Sequence, residues 1–158
     1  SDGYERLKRD VLCLKPDLLI VCFGLNDSNN EEKGISVFKK ALRQIFLETR
    51  TAGIETIFMT PNMLNTNSSK VSKGEILEPL AEIFAQRQSS GVFDDYMEAA
   101  REVCREENVT LCDCYAIWKR MYECGIDTTR LLSNGLNHPV REMHDLFAWQ
   151  LINTILND

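Results

Sequence analysis

Two short polar clusters in this chain carry side chains that could act on a carbonyl. Residues 24 to 27 read Gly-Leu-Asn-Asp, and residues 134 to 139 read Asn-Gly-Leu-Asn-His-Pro. A neutral imidazole such as that of His138 can serve as a general base near neutral pH. Pro139 restricts the residue before it to extended backbone, which would set the ring on a rigid turn. The amide of Asn26 is a donor of the type that stabilises an oxyanion, and Gly24 ahead of it permits a sharp turn. Plainer readings compete, because Asn and Asp are also good turn and capping residues and a lone loop histidine often has no task. The second histidine, His144, falls within the last predicted helix. His138, Glu142 and His144 lack the i, i+4 histidine pair that a helix offers to one metal ion, so no metal site is read there.

The elements that must position these clusters follow from hydrophobic periodicity. Leu7, Val11, Leu12 and Leu14 share one face of a helix over 4–14, which Pro16 stops. The apolar run 17–24 predicts a strand covered on both faces of a parallel sheet. A polar loop leads to an amphipathic helix over 35–53 with Gly53 as its cap, then to a second buried strand over 54–61. Residues 62–74 are rich in Asn and Ser and read as a long loop, of a length that more often marks function than connection. Helices at 75–88 and 92–107, a short strand at 109–113, a helix from Cys114 and a final helix with Pro139 in its first turn complete the order. Strands alternating with helices predict an α/β layered fold on a thin parallel sheet of three strands. In such sheets ligands bind beyond the carboxyl ends of strands, where the Gly24 to Asp27 cluster falls.

The 158 residues suit one domain with a real core. A net charge of −6 argues against nucleic acid, whose phosphates require clustered Lys and Arg. No apolar run reaches membrane-spanning length, so no membrane partner is expected. Six cysteines, at 13, 22, 104, 112, 114 and 124, have no disulfide-scaffold spacing. They read as reduced thiols in a cytoplasmic protein, a reading that does not extend to any signal upstream of Ser1. Cys112 and Cys114 lack two further ligands for zinc.

The strand "PDLLIVCFGLND", followed about a hundred residues later by "NGLNHP" and a closing helix, resembles the C-terminal two thirds of a GDSL/SGNH-type hydrolase. The resemblance covers nearly the whole chain and implies a flavodoxin-like three-layer α/β/α fold. It also implies ester hydrolysis without a cofactor, on short acyl groups, with a small-molecule or carbohydrate ester as substrate. Asn26 matches the oxyanion-hole asparagine and His138 the base, which puts Gly24, Asp27 and Asn137 beside the substrate. The family's aspartate stands three residues before its histidine; here that position is Gly135, and Asn134 is the candidate orienter of the ring. Asp113 and Asp127 are weaker substitutes, the first reading more naturally as a helix cap.

The family's serine and glycine blocks would lie upstream of Ser1, together with N-terminal strands of the sheet. No Gly-Asp-Ser occurs in the chain, and Ser28 is the serine nearest the proposed site. Ser1 would serve only as a processed N-terminal nucleophile. With those strands outside the chain, the edge of "LLIVCF" is expected to be bare and the isolated chain to self-associate as a homo-oligomer or aggregate. The alternative reading is a non-catalytic binding module on the same fold. A nucleotide or phosphate binder is disfavoured because no glycine-rich loop follows a strand.

Overall fold

The computed structural model describes residues 2–69 and 71–156, so Ser1 lies outside the described residues. Contacts divide the chain into two compact units, Ser1–Thr60 with Asp95–Cys112 and Pro61–Asp94 with Asp113–Asp158.

The first unit holds the sheet. Strands β1 (Leu18–Val21), β2 (Glu55–Met59) and β3 (Thr110–Cys112) are parallel and lie in the order β1-β2-β3. Leu18 pairs with Glu55 and Ile57 with Thr110, and Thr60 N–H donates to the Cys112 carbonyl at 3.0 Å just past the strand end. The long helix α2 (Ile35–Thr51) buries Phe38, Ala41, Leu42, Ile45, Phe46 and Thr49, the three-and-four spacing of one face. Burying each large side chain there contributes about 1.5–3 kcal/mol. Phe46 meets Phe58 of β2 edge to face, with ring centroids 6.2 Å apart. Gly53, at φ +72°, then donates its N–H to the Arg50 carbonyl and ends the helix, a conformation only glycine adopts without strain.

Helix α1 (Asp2–Asp10) stops four residues earlier than its pattern predicts. Residues Leu12–Leu14 tighten into a 3-10 turn that closes on Lys15 at φ +50°, directly before Pro16. The predicted double covering of the first strand also needs correction. Val21 is buried, but Leu18 and Ile20 are 37% and 40% exposed, because β1 is an edge strand that pairs with β2 alone among the described residues.

The second unit contains α3 (Leu77–Ser89), α5 (Cys114–Glu123) and α6 (His144–Leu156). The remaining helix, α4 (Val92–Glu107), begins in this unit and ends in the first. Trp118 packs near Phe147, and Tyr115 meets Phe93 edge to face at 5.4 Å. The predicted C-terminal helix starts at His144 rather than near Pro139, which places His144 at its first residue. Pro139 instead bridges Leu132 in antiparallel fashion, and Val140 N–H donates to the Leu131 carbonyl at 2.8 Å. That extended backbone, with Val140 at ψ +159°, is incompatible with helix, so a 3-10 turn at Arg141–Met143 intervenes.

No helix among the described residues is long and apolar enough to cross a membrane. No disulfide joins the cysteines among the described residues.

Within the first unit, α2 and α4 are laced by ion pairs: Lys39 to Glu102 at 2.6 Å, Arg43 to Glu106, and Arg50 to Glu107. The hydrogen bond from Lys39 holds the Glu102 carboxyl below the ordinary glutamate value. A depressed carboxylate contributes stability above its unfolded pKa, and the contribution is lost as pH falls through the folded value. Lys39→Met should therefore lower the urea midpoint at neutral pH, and the gap from the parent should close on acidification below the glutamate range. Urea titrations of both proteins across that range check this.

Candidate functional site

The Gly24 to Asp27 loop leaves β1 at its carboxyl end, in the first unit. Gly24 sits at φ +123°, a backbone conformation that strains any residue with a side chain, and a β-carbon there would also have to displace the Met97 terminal methyl, 2.6 Å away. The turn is closed by residues other than Asn26. Asp27 Oδ2 accepts the Gly24 N–H at 3.1 Å, Ser28 N–H donates to the Gly24 carbonyl, and Ser28 Oγ donates to the Leu25 carbonyl at 2.7 Å. Ser28 is fully buried and spent on the loop. Asn26 heads the following 3-10 turn without capping it through its side chain, and that side chain is exposed with no hydrogen bond in its unit among the described residues. Of the two readings of Asn26, the turn-former's work is thus performed by Asp27, and the Asn26 amide remains available to a ligand.

The histidine loop lies in the second unit and is organised around Asn134. Its Oδ1 accepts the backbone N–H groups of Leu136, Asn137 and His138 at 3.0, 3.1 and 3.1 Å, and its Nδ2 donates to Asn137 Oδ1 at 3.0 Å. The Asn134 oxygen expected to orient the imidazole is therefore engaged with main chain. Asn137 is held at both ends, since its carbonyl also accepts from Asn62 Nδ2 at 2.9 Å. The His138 carbonyl accepts the Ser133 N–H at 2.7 Å and its hydroxyl at 3.1 Å. The backbone of His138 is thus fixed from both sides, while its ring is exposed and lacks a hydrogen-bond partner in its unit among the described residues.

Gly135 occupies the position where the resemblance expects an aspartate. It lies at φ +65°, and a β-carbon there would stand 2.9 Å from both Ser69 Cβ and Val71 Cγ2. The left-handed backbone strains a side chain, and Ser69 and Val71 would have to shift to admit a carboxylate at this point. The two substitute acids are occupied elsewhere: Asp113 caps α5 by accepting the Ala116 N–H at 3.1 Å, and Asp127 accepts from Thr129 N–H and Asn67 Nδ2. Among the described residues no group of three His, Cys, Asp or Glu side chains could hold a metal ion.

The support beneath this loop went unread in the sequence. The Asn-rich segment after β2 is not the exposed polar surface that its composition suggests, because residues 61–65 are buried. Asn65 N–H donates to the Leu136 carbonyl at 2.8 Å, and its side chain reaches the Ala81 carbonyl. Gln88 Oε1 accepts the Leu64 N–H at 3.0 Å while Gln88 Nε2 donates to the Tyr115 hydroxyl, which donates in turn to Asp94. Buried irregular backbone must find side-chain partners, and these amides supply them. The signal was the run of asparagines beside apolar Met63 and Leu64.

Comparison with known proteins matches residues 1–146 to the GDSL-like Lipase/Acylhydrolase family. Among solved structures, an acetylxylan esterase from Geobacillus stearothermophilus is similar over 98% of this chain and 66% of its own, with a TM-score of 0.71 at 20% identity. Its form with a catalytic serine replaced by alanine gives a TM-score of 0.73 at 20% identity over the same shares, 98% and 66%. A GDSL-like lipase candidate from Parabacteroides merdae gives 0.73 at 16% identity, over 97% of this chain and 66% of its own. The chain thus spans 66% of the length of each of these structures. At such identity the likeness establishes a shared α/β fold. No curated protein sequence matches the chain.

The geometry at Gly135 yields a test. Gly135→Asp, which restores the family's acid in sequence, should lower stability by about 1–3 kcal/mol through left-handed strain and displacement of Ser69 and Val71. It should add nothing to any His138-dependent turnover. A variant with unchanged melting temperature and raised activity would contradict the packing described.

Proposed function

The chain belongs to the GDSL-like lipase/acylhydrolase family, and from that membership we propose that it forms most of a serine ester hydrolase acting on short acyl groups, with carbohydrate acetyl esters as the favoured substrates. The observation that carries the proposal is the unspent side-chain amide of Asn26 beyond the end of β1, in a turn where Asn26 contributes only its main-chain carbonyl, which accepts the Asn29 N–H at 3.1 Å. In this reading a serine adds to the ester carbonyl and His138 accepts the serine proton. Asn26 donates to the developing oxyanion, and His138 returns the proton to the leaving alkoxide. Water then attacks the acyl-enzyme, again with His138 as base, and releases the acid. No cofactor enters these steps. The chain has no Gly-Asp-Ser, so the proposal places the nucleophile on a segment upstream of Ser1. The acetylxylan esterase likeness supports a sugar ester as substrate, with the sugar alkoxide as leaving group.

A second reading, a binding module on the same fold, is favoured by one observation. The loop behind His138 offers its ring no acid, since Gly135 has no side chain and the Asn134 oxygen is engaged with main chain. The esterase reading accommodates this as a serine-histidine pair with exposed, solvent-stabilised imidazolium.

Hydrolysis of p-nitrophenyl acetate by the longest available form of the protein, beside His138→Ala, decides between the two. The esterase reading predicts a loss of about a hundred- to ten-thousand-fold in kcat/KM and a serine labelled by a fluorophosphonate in mass spectrometry. Turnover indifferent to His138, with no labelled serine, supports the binding module.

A further inference from the structure

Immediately after Asn26 the first unit contains a cleft of about 390 Å³ walled by Asp27, Asn30, Lys33, Gly34, Val37 and Phe38. Its volume falls within the range of small-ligand sites. Its floor is rigid. Phe38 is buried against Tyr96 with ring centroids 5.3 Å apart, and the Tyr96 hydroxyl donates to the Glu31 carbonyl at 2.8 Å. A β-carbon on Gly34 would lie 2.2 Å from the Tyr96 hydroxyl and 2.6 Å from Asn30 Cβ, so a glycine is needed for the backbone to pass beneath Asn30. The rim is polar and incompletely used. Asp27 commits Oδ2 to the Gly24 N–H and Asn30 commits Nδ2 to the Asp27 carbonyl, which leaves Asp27 Oδ1 and Asn30 Oδ1 as open acceptors. Lys33 is exposed and makes no ion pair among the described residues.

We propose that this cleft is a saccharide subsite, which holds the sugar of the ester beside Asn26. The inference rests on the esterase reading and adds where its leaving group sits. A carboxylate, an amide and an ammonium together can accept from and donate to vicinal hydroxyls, while Val37, 60% exposed, offers apolar surface to the C–H face of a pyranose. Glu31 and Glu32 immediately precede Lys33 in sequence and with Asp27 make this stretch net negative. That balance disfavours an anionic ligand and fits a neutral sugar.

The test uses the longest form of the protein, as for the esterase assay, and needs no catalysis. Backbone amide spectra are recorded during titration with xylobiose, for the parent and for Lys33→Met, an exposed substitution that keeps the aliphatic stem. The expected result is saturable shifts at residues 27–38 and a roughly tenfold weaker Kd in Lys33→Met, the size of one lost charge-assisted hydrogen bond. No saturable shift, shifts confined to other residues, or an equal Kd in Lys33→Met overturns the subsite. Xylobiose binding in a protein without His138-dependent ester turnover sinks the esterase reading and leaves the subsite standing, so the two failures are distinguishable.

Discussion

One side-chain oxygen holds the histidine loop together. Asn134 Oδ1 gathers three successive main-chain N–H groups, those of Leu136, Asn137 and His138. This is the work that the first turn of a helix leaves to its cap, performed here in a loop where no helix follows for several residues. A nest of three N–H groups with no acceptor would cost several hydrogen bonds, and with Asn134 in place the loop has little freedom. Gly135 is drawn into left-handed backbone by the same closure, and its missing side chain admits Ser69 and Val71. The absence of the family's acid and the presence of Asn134 are therefore one structural solution rather than two independent changes.

The two loops divide their polar groups in the same manner. In each, one residue is consumed in shaping the backbone, Asp27 in the first and Asn134 in the second, and a neighbour is left exposed and unbonded within its unit, Asn26 in the first and His138 in the second. A group that is to meet a ligand must have its hydrogen-bonding capacity unspent, and its backbone must be fixed so that binding does not have to order it. Beneath the histidine loop Asn62 and Asn65 carry this fixing one layer further down, and Gln88, itself bonded to Tyr115, which donates to Asp94, holds the Leu64 N–H between them.

Much of this organisation was legible in the sequence where a single local force decides the outcome. The span of α4 and the glycine cap after α2 follow from periodicity and backbone sterics, and both are found as expected. The parallel sheet follows from strand and helix alternation. What was not legible depends on partners far along the chain. An apolar run such as Leu18–Val21 reads the same at a sheet's centre and at its edge, so the exposure of Leu18 and Ile20 had no local sign. The Leu132 to Pro139 bridge, which delays α6, is a pairing between loop residues that propensity does not register. The main-chain work of Asn134 is hidden for a related reason: an amide beside a histidine suggests a ring partner, and no local propensity registers that three N–H groups converge on its oxygen.

The central claim is that Asn134 is structural and Asn26 is not, and thermal unfolding of Asn26→Ala and Asn134→Ala measures it directly. Asn134→Ala should lose about 1–3 kcal/mol, the penalty of leaving buried or half-buried N–H groups unsatisfied. Asn26→Ala should stay within about 0.5 kcal/mol of the parent, as a surface substitution of a side chain that caps nothing does. If Asn26→Ala proves the more damaging of the two, its amide is part of the turn rather than a group held ready for an oxyanion, and the account fails at its base.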